Sequence, residues 1–151
     1  MADFSRRFAA NPLVRPEDVP PSLPGLQVKC AFNPGAFRYQ GRVGLLMRVA
    51  EFAASDETMV RTPVLDAAAA DGIRIAEFRR DTPGLDASDP RMFSVDGQTY
   101  LTSLSHLRLA WSDDGGETFT VEARPALIGQ SALESFGVED ARVCEIGRAH
   151  V

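Results

Sequence analysis

The sequence predicts an all-β fold, and three observations lead to that prediction. The chain of 151 residues has an ordinary globular composition, with 44% hydrophobic and 25% charged residues. Short apolar runs are separated by glycine, aspartate and proline, which is typical of strands joined by tight turns. A block of sequence also recurs after about fifty residues, and repeats of that length build arrays of small sheets.

The first part of the chain is rich in proline, which removes a backbone donor and fixes φ. Residues 1–29 are therefore predicted to form an extended arm on the surface of the domain. Strand-like runs follow at 43–49, 58–65, 73–78, 99–104, 107–111 and 119–123. The alanine-rich stretch 65–70 is compatible with one short helix or with a turn, because Gly72 follows it closely.

The repeat refines the predicted architecture. Asn33 and Asp89 occupy equivalent positions in a block of ten residues that occurs twice, 56 residues apart, with matching Pro, Phe and Gly. A third copy begins near Asp140, 51 residues after Asp89. A period of this length is typical of the blades of a β-propeller. We therefore predict an incomplete β-propeller domain over residues 30–145, with about two complete blades and the start of a third.

A short motif near the end of the last long strand supports this architecture. Residues 112–119 read Ser-Asp-Asp-Gly-Gly-Glu-Thr-Phe and match the Asp box, a hairpin found in many propellers. Asp114 is expected to accept hydrogen bonds from the amides of its own turn, in which the glycines allow positive φ. Phe119 is expected to anchor the hairpin in the core, so Asp113 and Asp114 are predicted to be structural.

Charge and hydropathy exclude several classes of protein. A net charge of -5 argues against a nucleic-acid partner, because phosphate backbones require a basic surface. Neither a transmembrane run nor the apolar core of a signal peptide is present in the sequence, which predicts a cytoplasmic protein without a membrane partner. Homo-oligomer formation stays open. Residues 146–151 resemble a translated sequencing adapter, and we expect a non-native tail there, the alternative being a genuine C-terminus.

Few residues suggest a metal site. Cys30 and Cys144 lack the spacing of zinc ligands, and we expect them to be reduced thiols. His106 alternates with apolar residues, which favours a position on a rim or in a hairpin over a catalytic role. No metal or organic cofactor is implied.

The repeat also predicts where a ligand binds. Equivalent positions at the start of each inner strand face the central channel of a propeller, which places Asn33, Asp89 and Asp140 there. Residues two apart in a strand share a face. Asp140 and Arg142 are therefore expected to point together, and Glu139 is expected to point the other way.

Several of these residues lie in motifs that resemble those of glycoside hydrolase family 130, which acts on β-mannosides. The similar motifs are Asn-Pro-Leu at 11–13, Glu-Asp-Val at 17–19, Phe-Asn-Pro-Gly-Ala at 32–36, Leu-Leu-Met-Arg-Val at 45–49 and Gly-Val-Glu-Asp-Ala-Arg at 137–142. The resemblance covers residues 11–145. It implies a five-bladed propeller and an inverting phosphorylase or hydrolase, of which this chain would be an N-terminal fragment.

The resemblance also implies roles for individual residues. Asp140 would be the general acid and would protonate the glycosidic oxygen, directly or by way of a sugar hydroxyl. Asn33 and Arg48 would hold hydroxyls of the mannosyl unit in subsite -1. Arg142 and Asp89 are the further candidates for substrate binding.

Phosphorolysis and hydrolysis make different demands on such a site. Inorganic phosphate, as a co-substrate, attacks the anomeric carbon without a base and gives mannose 1-phosphate, but it needs a cationic cluster. Inverting hydrolysis needs a second carboxylate about 6.5 to 9.5 Å from the acid. We favour phosphorolysis and keep three alternatives: an inverting β-mannosidase, a non-catalytic carbohydrate-binding propeller and an inactive truncation.

Two residues beside the acid affect these expectations. Ala141 stands where the family has proline, so a fixed φ is lost while the carboxylate of Asp140 remains. Arg142 would lower the pKa of a neighbouring acid. We therefore expect Arg142 to point towards phosphate, substrate or Glu139 rather than towards Asp140.

Overall fold

The computed structural model describes residues 7–147 and 149–150, and in that part the chain folds into strands with two short 3-10 helices. The strands are β1 (Leu26–Tyr39), β2 (Arg42–Ala53), β3 (Met59–Leu65), β4 (Ile73–Arg79), β5 (Met92–Val95), β6 (Gln98–Leu101), β7 (Leu104–Ser112), β8 (Thr120–Val121), β9 (Glu145–Ile146) and β10 (Ala149–His150). The 3-10 helices are Pro16–Asp18 and Ala132–Glu134. The prediction of an all-β fold is confirmed. None of the helices in this part of the chain is long and apolar enough to cross a membrane.

Some of the sequence predictions concern residues outside this part. The start of the predicted arm, residues 1–6, and residues 148 and 151 of the predicted tail lie outside the described residues. β1 begins at Leu26, so the arm meets its first strand slightly before the predicted boundary. The alanine-rich stretch after Leu65 forms turns, one of its two predicted conformations.

The main sheet has four antiparallel strands in the order β1-β2-β7-β8. The hairpins β3–β4 and β5–β6 are inserted between its second and third strands and form two further sheets. The register of the central pair places Arg48 opposite Leu107 and Ala50 opposite Ser105. β1 contains a register shift between Phe32 and Gly35, which displaces the intervening residues from the regular pleat.

The two clear copies of the repeat are both hairpins. The first joins β1 to β2 through a turn at Gln40, and the second joins β5 to β6 through a turn at Asp96. Both turn residues have a φ of 50°, and a glycine with positive φ follows each. The two hairpins lie in different sheets. The third copy, at residues 139–143, is not part of a strand.

The two faces of the main sheet are covered differently. Met47, Val49 and Ala110 form a buried cluster with Val19 of the arm. We call this the back face, and we call the opposite face, which carries Arg48, the front face. The described part of the arm thus packs on the back face and leaves the front face to other segments.

The Asp box has the predicted geometry. The carboxylate of Asp114 accepts hydrogen bonds from the backbone amides of Glu117 and Thr118, each at 3.0 Å. The hydroxyls of Ser112 and Thr118 also donate to it and hold its pKa well below the ordinary value. Phe119 packs against the back-face cluster, as predicted. Asp114 is therefore structural in the described chain.

The back face also carries a buried polar network. Nε2 of His106 lies 3.2 Å from Oε2 of Glu51 and 3.3 Å from Oγ of Ser22 in the arm. The guanidinium of Arg108 donates to the Ser22 hydroxyl at 2.7 Å and to the carbonyl of Pro20. His106 is fully buried, so the expectation of a rim or hairpin position is wrong. It has apolar neighbours in the sequence because β7 is covered on both faces.

Candidate functional site

The candidate site is formed where one segment crosses the front face of the main sheet. Gly137 pairs with Ser105 at the edge of β7, and the backbone amide of Val138 donates to the Ser105 carbonyl at 3.1 Å. The chain then passes over β2 and reaches β1, where residues 141–143 lie against Gly35. We call residues 137–143 the crossing segment. It carries Asp140 over two strands of the sheet.

Arg48 of β2 links the crossing segment to the sheet. Its Nη1 lies 3.3 Å from Oδ1 of Asp140, and its Nη2 donates to the carboxylate of Glu139. Its Nε donates to Oγ of Ser105 at 3.1 Å, and its guanidinium lies 4.8 Å from the centroid of the Phe32 ring. Because these contacts fix both ends of the guanidinium plane, Arg48 is a preorganised cation on the front face.

Asn33 of β1 holds the same carboxylate from the other side. Its Nδ2 lies 3.2 Å from Oδ1 and 3.1 Å from Oδ2 of Asp140, a residue 107 positions further along the chain. Both residues have positive φ, 47° at Asn33 and 39° at Asp140. This backbone conformation is uncommon outside glycine and is tolerated best by Asn and Asp. The local backbone therefore turns both side chains towards each other.

These contacts determine the ionisation of Asp140. The hydrogen bond from Asn33, followed by the hydrogen bond and charge of Arg48 and the charge of Arg142, holds the pKa of Asp140 below its ordinary value. Partial burial opposes this effect without reversing it. In the substrate-free chain Asp140 is therefore a carboxylate at neutral pH.

One expectation about its neighbours is wrong. Glu139 was expected to point away from Asp140, yet both carboxylates bind Arg48. The positive φ of Asp140 interrupts the strand alternation on which that expectation depended. Arg142 donates to backbone carbonyls, that of Ala141 at 2.8 Å and that of Asn33 at 3.5 Å, rather than to the carboxylate of Asp140. That it points towards phosphate or substrate stays a prediction.

Asp89 lies elsewhere in the fold. It is in the loop before β5, where its carboxylate accepts hydrogen bonds from the backbone amide and the guanidinium of Arg91. The cavity of about 810 Å³ between the β3–β4 hairpin, the β5–β6 hairpin and residues 128–136 is also separate from the crossing segment. The residues that the crossing segment brings together therefore lie on an open face and do not line this cavity.

Ser22, His106 and Glu51 contain the functional groups of a hydrolase triad, but their geometry excludes that role. A triad needs the carboxylate on one ring nitrogen and the hydroxyl on the other. Here both lie beside Nε2 of His106, and Arg108 donates to the hydroxyl. Glu51 and His106 are at most 1% exposed, so a substrate has no access to them. The sequence contained no signal that brings these residues together.

Comparison with known proteins shows which proteins this chain resembles. No model of a known protein family matches the sequence. The chain is, however, similar to a sugar phosphorylase. It resembles β-1,2-mannobiose phosphorylase from Listeria innocua, with 42% identity over an alignment of 146 residues that covers 93% of this chain and 41% of that protein.

The structural comparison agrees. A solved structure of β-1,2-mannobiose phosphorylase from Listeria innocua, in complex with β-1,2-mannobiose, matches with a TM-score of 0.77 and 42% identity. The match covers 95% of this chain and 42% of that one. The chain thus spans about two-fifths of the length of the relative that it matches. The resemblance to family 130 enzymes that the motifs indicated is confirmed.

Proposed function

We propose that the chain supplies the general acid and part of the sugar subsite of an inverting β-mannoside phosphorylase. One observation carries the proposal. A homologue of β-1,2-mannobiose phosphorylase gathers Asp140, Asn33 and Arg48 on one accessible face from three separate parts of the chain. The substrates are a β-linked mannoside, with β-1,2-mannobiose the first choice, and inorganic phosphate.

In the proposed reaction a phosphate oxygen attacks the anomeric carbon as the glycosidic bond breaks. Asp140 transfers its proton to the departing oxygen, directly or by way of a sugar hydroxyl, and inversion gives α-mannose 1-phosphate. Asn33 and Arg48 hold the mannosyl hydroxyls, and Arg142 is a further candidate for substrate contact. Phosphate needs no base, which distinguishes this reaction from inverting hydrolysis.

The lowered pKa of Asp140 must rise before the residue can act as an acid. A phosphate anion beside the carboxylate has this effect, because a like charge disfavours the ionised form. A sugar that displaces the amide of Asn33 from the carboxylate acts in the same direction. Asp140 thus takes up its proton as the substrates bind.

The proposal also includes the architecture of the domain to which these residues belong. We infer that residues 30–145 belong to a five-bladed propeller, with the Pro-rich arm before them and a non-native tail after them. The four-stranded main sheet has the size of one blade. A cytoplasmic location and the lack of nucleic-acid and membrane partners remain predictions of the proposal, and homo-oligomer formation is left open.

The test is phosphate-dependent formation of mannose 1-phosphate from β-1,2-mannobiose, followed by ³¹P NMR. It is made with the 151-residue chain and with a longer protein that carries this sequence. In whichever of these two proteins is active, Asp140→Asn is expected to abolish the activity. Asp113→Asn, which changes an exposed aspartate paired with Arg42, is the matched control and is expected to retain it.

Each other outcome contradicts a stated part of the proposal. Release of mannose without phosphate would show hydrolysis instead. Normal turnover by Asp140→Asn would remove Asp140 from the role of acid. Binding of mannobiose without turnover by the longer protein would identify a carbohydrate-binding propeller.

A further inference from the structure

We infer that Gly35 is a positioning residue for Asp140, because its missing side chain leaves the space on β1 that the crossing segment occupies. The inference rests on the proposed function of Asp140. Gly35 belongs to the Asn-Pro-Gly-Ala motif, in which only the asparagine has so far been given a role.

The space beside Gly35 is filled by backbone atoms. A Cβ at this position would lie 2.9 Å from the carbonyl oxygen of Ala141 and 3.3 Å from both Cα of Arg142 and the amide nitrogen of Val143. Main-chain atoms cannot turn aside as the end of a flexible side chain does. Any larger residue at position 35 therefore displaces the crossing segment from the sheet.

Conformation does not explain this glycine. The glycines with positive φ among the described residues include Gly25, Gly41 and Gly137, but not Gly35. An alanine at position 35 is therefore free of the backbone strain that applies at those sites. What glycine contributes at position 35 is space alone, and this makes the position a clean probe of where the crossing segment lies.

The irregular part of β1 couples this space to the acid. Asn33 and Gly35 are two residues apart in the segment of the register shift, and Asn33 binds the carboxylate of Asp140 while Gly35 admits the backbone that follows it. The hydrogen bonds from Asn33 are 3.1 and 3.2 Å long, at the upper end of the usual range. A displacement of a few tenths of an ångström thus weakens the contact that most lowers the pKa of Asp140.

The experiment is an NMR titration of the Asp140 side-chain carboxyl in the 151-residue chain, with and without Gly35→Ala. We expect the variant to raise the pKa of Asp140 towards its ordinary value. Gly129→Ala is the matched control, since a Cβ there would also lie 2.9 Å from a backbone carbonyl, that of Glu134, and its φ is not positive either. This control is expected to leave the titration of Asp140 unchanged.

A folded Gly35→Ala chain with the wild-type titration of Asp140 would overturn the inference, as would an equal shift in Gly129→Ala. If Gly35→Ala does not fold, the wild-type chain still provides a test. Nuclear Overhauser contacts between the Gly35 Hα protons and the Val143 amide proton are expected, and their absence would overturn the inference. Turnover does not enter these measurements, so the failure of the proposed function is distinguished from a failure of this inference.

Discussion

The front and back faces of the main sheet carry similar charged groups in opposite surroundings. Both faces are built from β2 and β7, because alternate residues of a strand point to opposite sides. On the back face Glu51 and His106 are at most 1% exposed. On the front face the side chains of Arg48 and Asp140 are 19% and 46% exposed. Burial, and not residue type, therefore separates the network that holds the fold from the one that a substrate can reach.

The back-face network shows how buried charges are retained. Burial raises the pKa of Glu51, but hydrogen bonds from His106 and Ser22 outweigh it, so the net pKa lies below the ordinary value. Burial lowers the pKa of Arg108, and the charge of Glu51 opposes that change. Desolvation costs several kcal/mol for each ion, so the charge of Arg108 depends on the carboxylate of Glu51, and that of Glu51 on its hydrogen bonds with His106 and Ser22.

The largest expected effect is on the back face. Glu51→Gln leaves the buried charge of Arg108 without a compensating carboxylate, and we expect the free energy of unfolding to fall by about 3 to 5 kcal/mol at neutral pH. Urea unfolding measures this change. Glu77→Gln, which alters an exposed ion pair with Arg61, is the control and is expected to change stability little. A loss of unfolding free energy no greater than that of Glu77→Gln would contradict the view that the buried back-face network stabilises the fold.

The pH dependence of this variant follows from the same contacts. Because the pKa of Glu51 is lower in the folded state than in the unfolded state, its contribution is fully present above the ordinary glutamate pKa. The contribution is lost as the pH falls through the lowered value. The difference in stability between wild type and Glu51→Gln should therefore shrink on acidification, and a difference that grew would contradict the assignment.

The second effect concerns the edge where the crossing segment leaves β7. In Gly137→Ala the new Cβ meets the carbonyl oxygen of Ser105 and lies 2.9 Å from its amide nitrogen, and φ at this position is +90°. Gly84→Ala has a similar φ of +77° but open space around it. Backbone strain costs both variants about 1 to 2 kcal/mol, so any further loss in Gly137→Ala measures the clash. Equal unfolding midpoints of Gly137→Ala and Gly84→Ala would show that the backbone at this edge of β7 shifts to accommodate the new Cβ.

The sequence predicted the strands better than their partners. Alternating apolar residues and turn residues located most strands of the described chain, and the Asp box was predicted down to the role of Asp114. The same patterns could not show that β2 pairs with β7 across two inserted hairpins, since periodicity carries no information on distant partners. The buried position of His106 follows from that pairing and was therefore missed.

The candidate site was predicted in part. Motifs pointed to Asn33, Arg48 and Asp140, and the structure brings these three together. Equivalence in the repeat also suggested Asp89, which instead binds Arg91 in its own loop. A sequence repeat indicates similar local turns. It does not indicate which copies long-range strand pairing brings to the same face of a sheet.

The smallest expected effect on stability, but the most specific one for the site, belongs to the front face. Asn33→Gly keeps the positive φ accessible and removes the amide that binds Asp140. The pKa of Asp140 should then rise towards its ordinary value, with little loss of stability because the carboxylate is half exposed. Asp89, whose pKa is lowered by Arg91, is the internal control in the same NMR titration, and its pKa should not change.

In the wild type the stability due to Asp140 is present above the ordinary aspartate pKa and is lost as the pH falls through the lowered value. Asn33→Gly should narrow the pH range between the lowered and the ordinary pKa of Asp140. An unchanged titration of Asp140 would mean that Arg48 alone sets its charge.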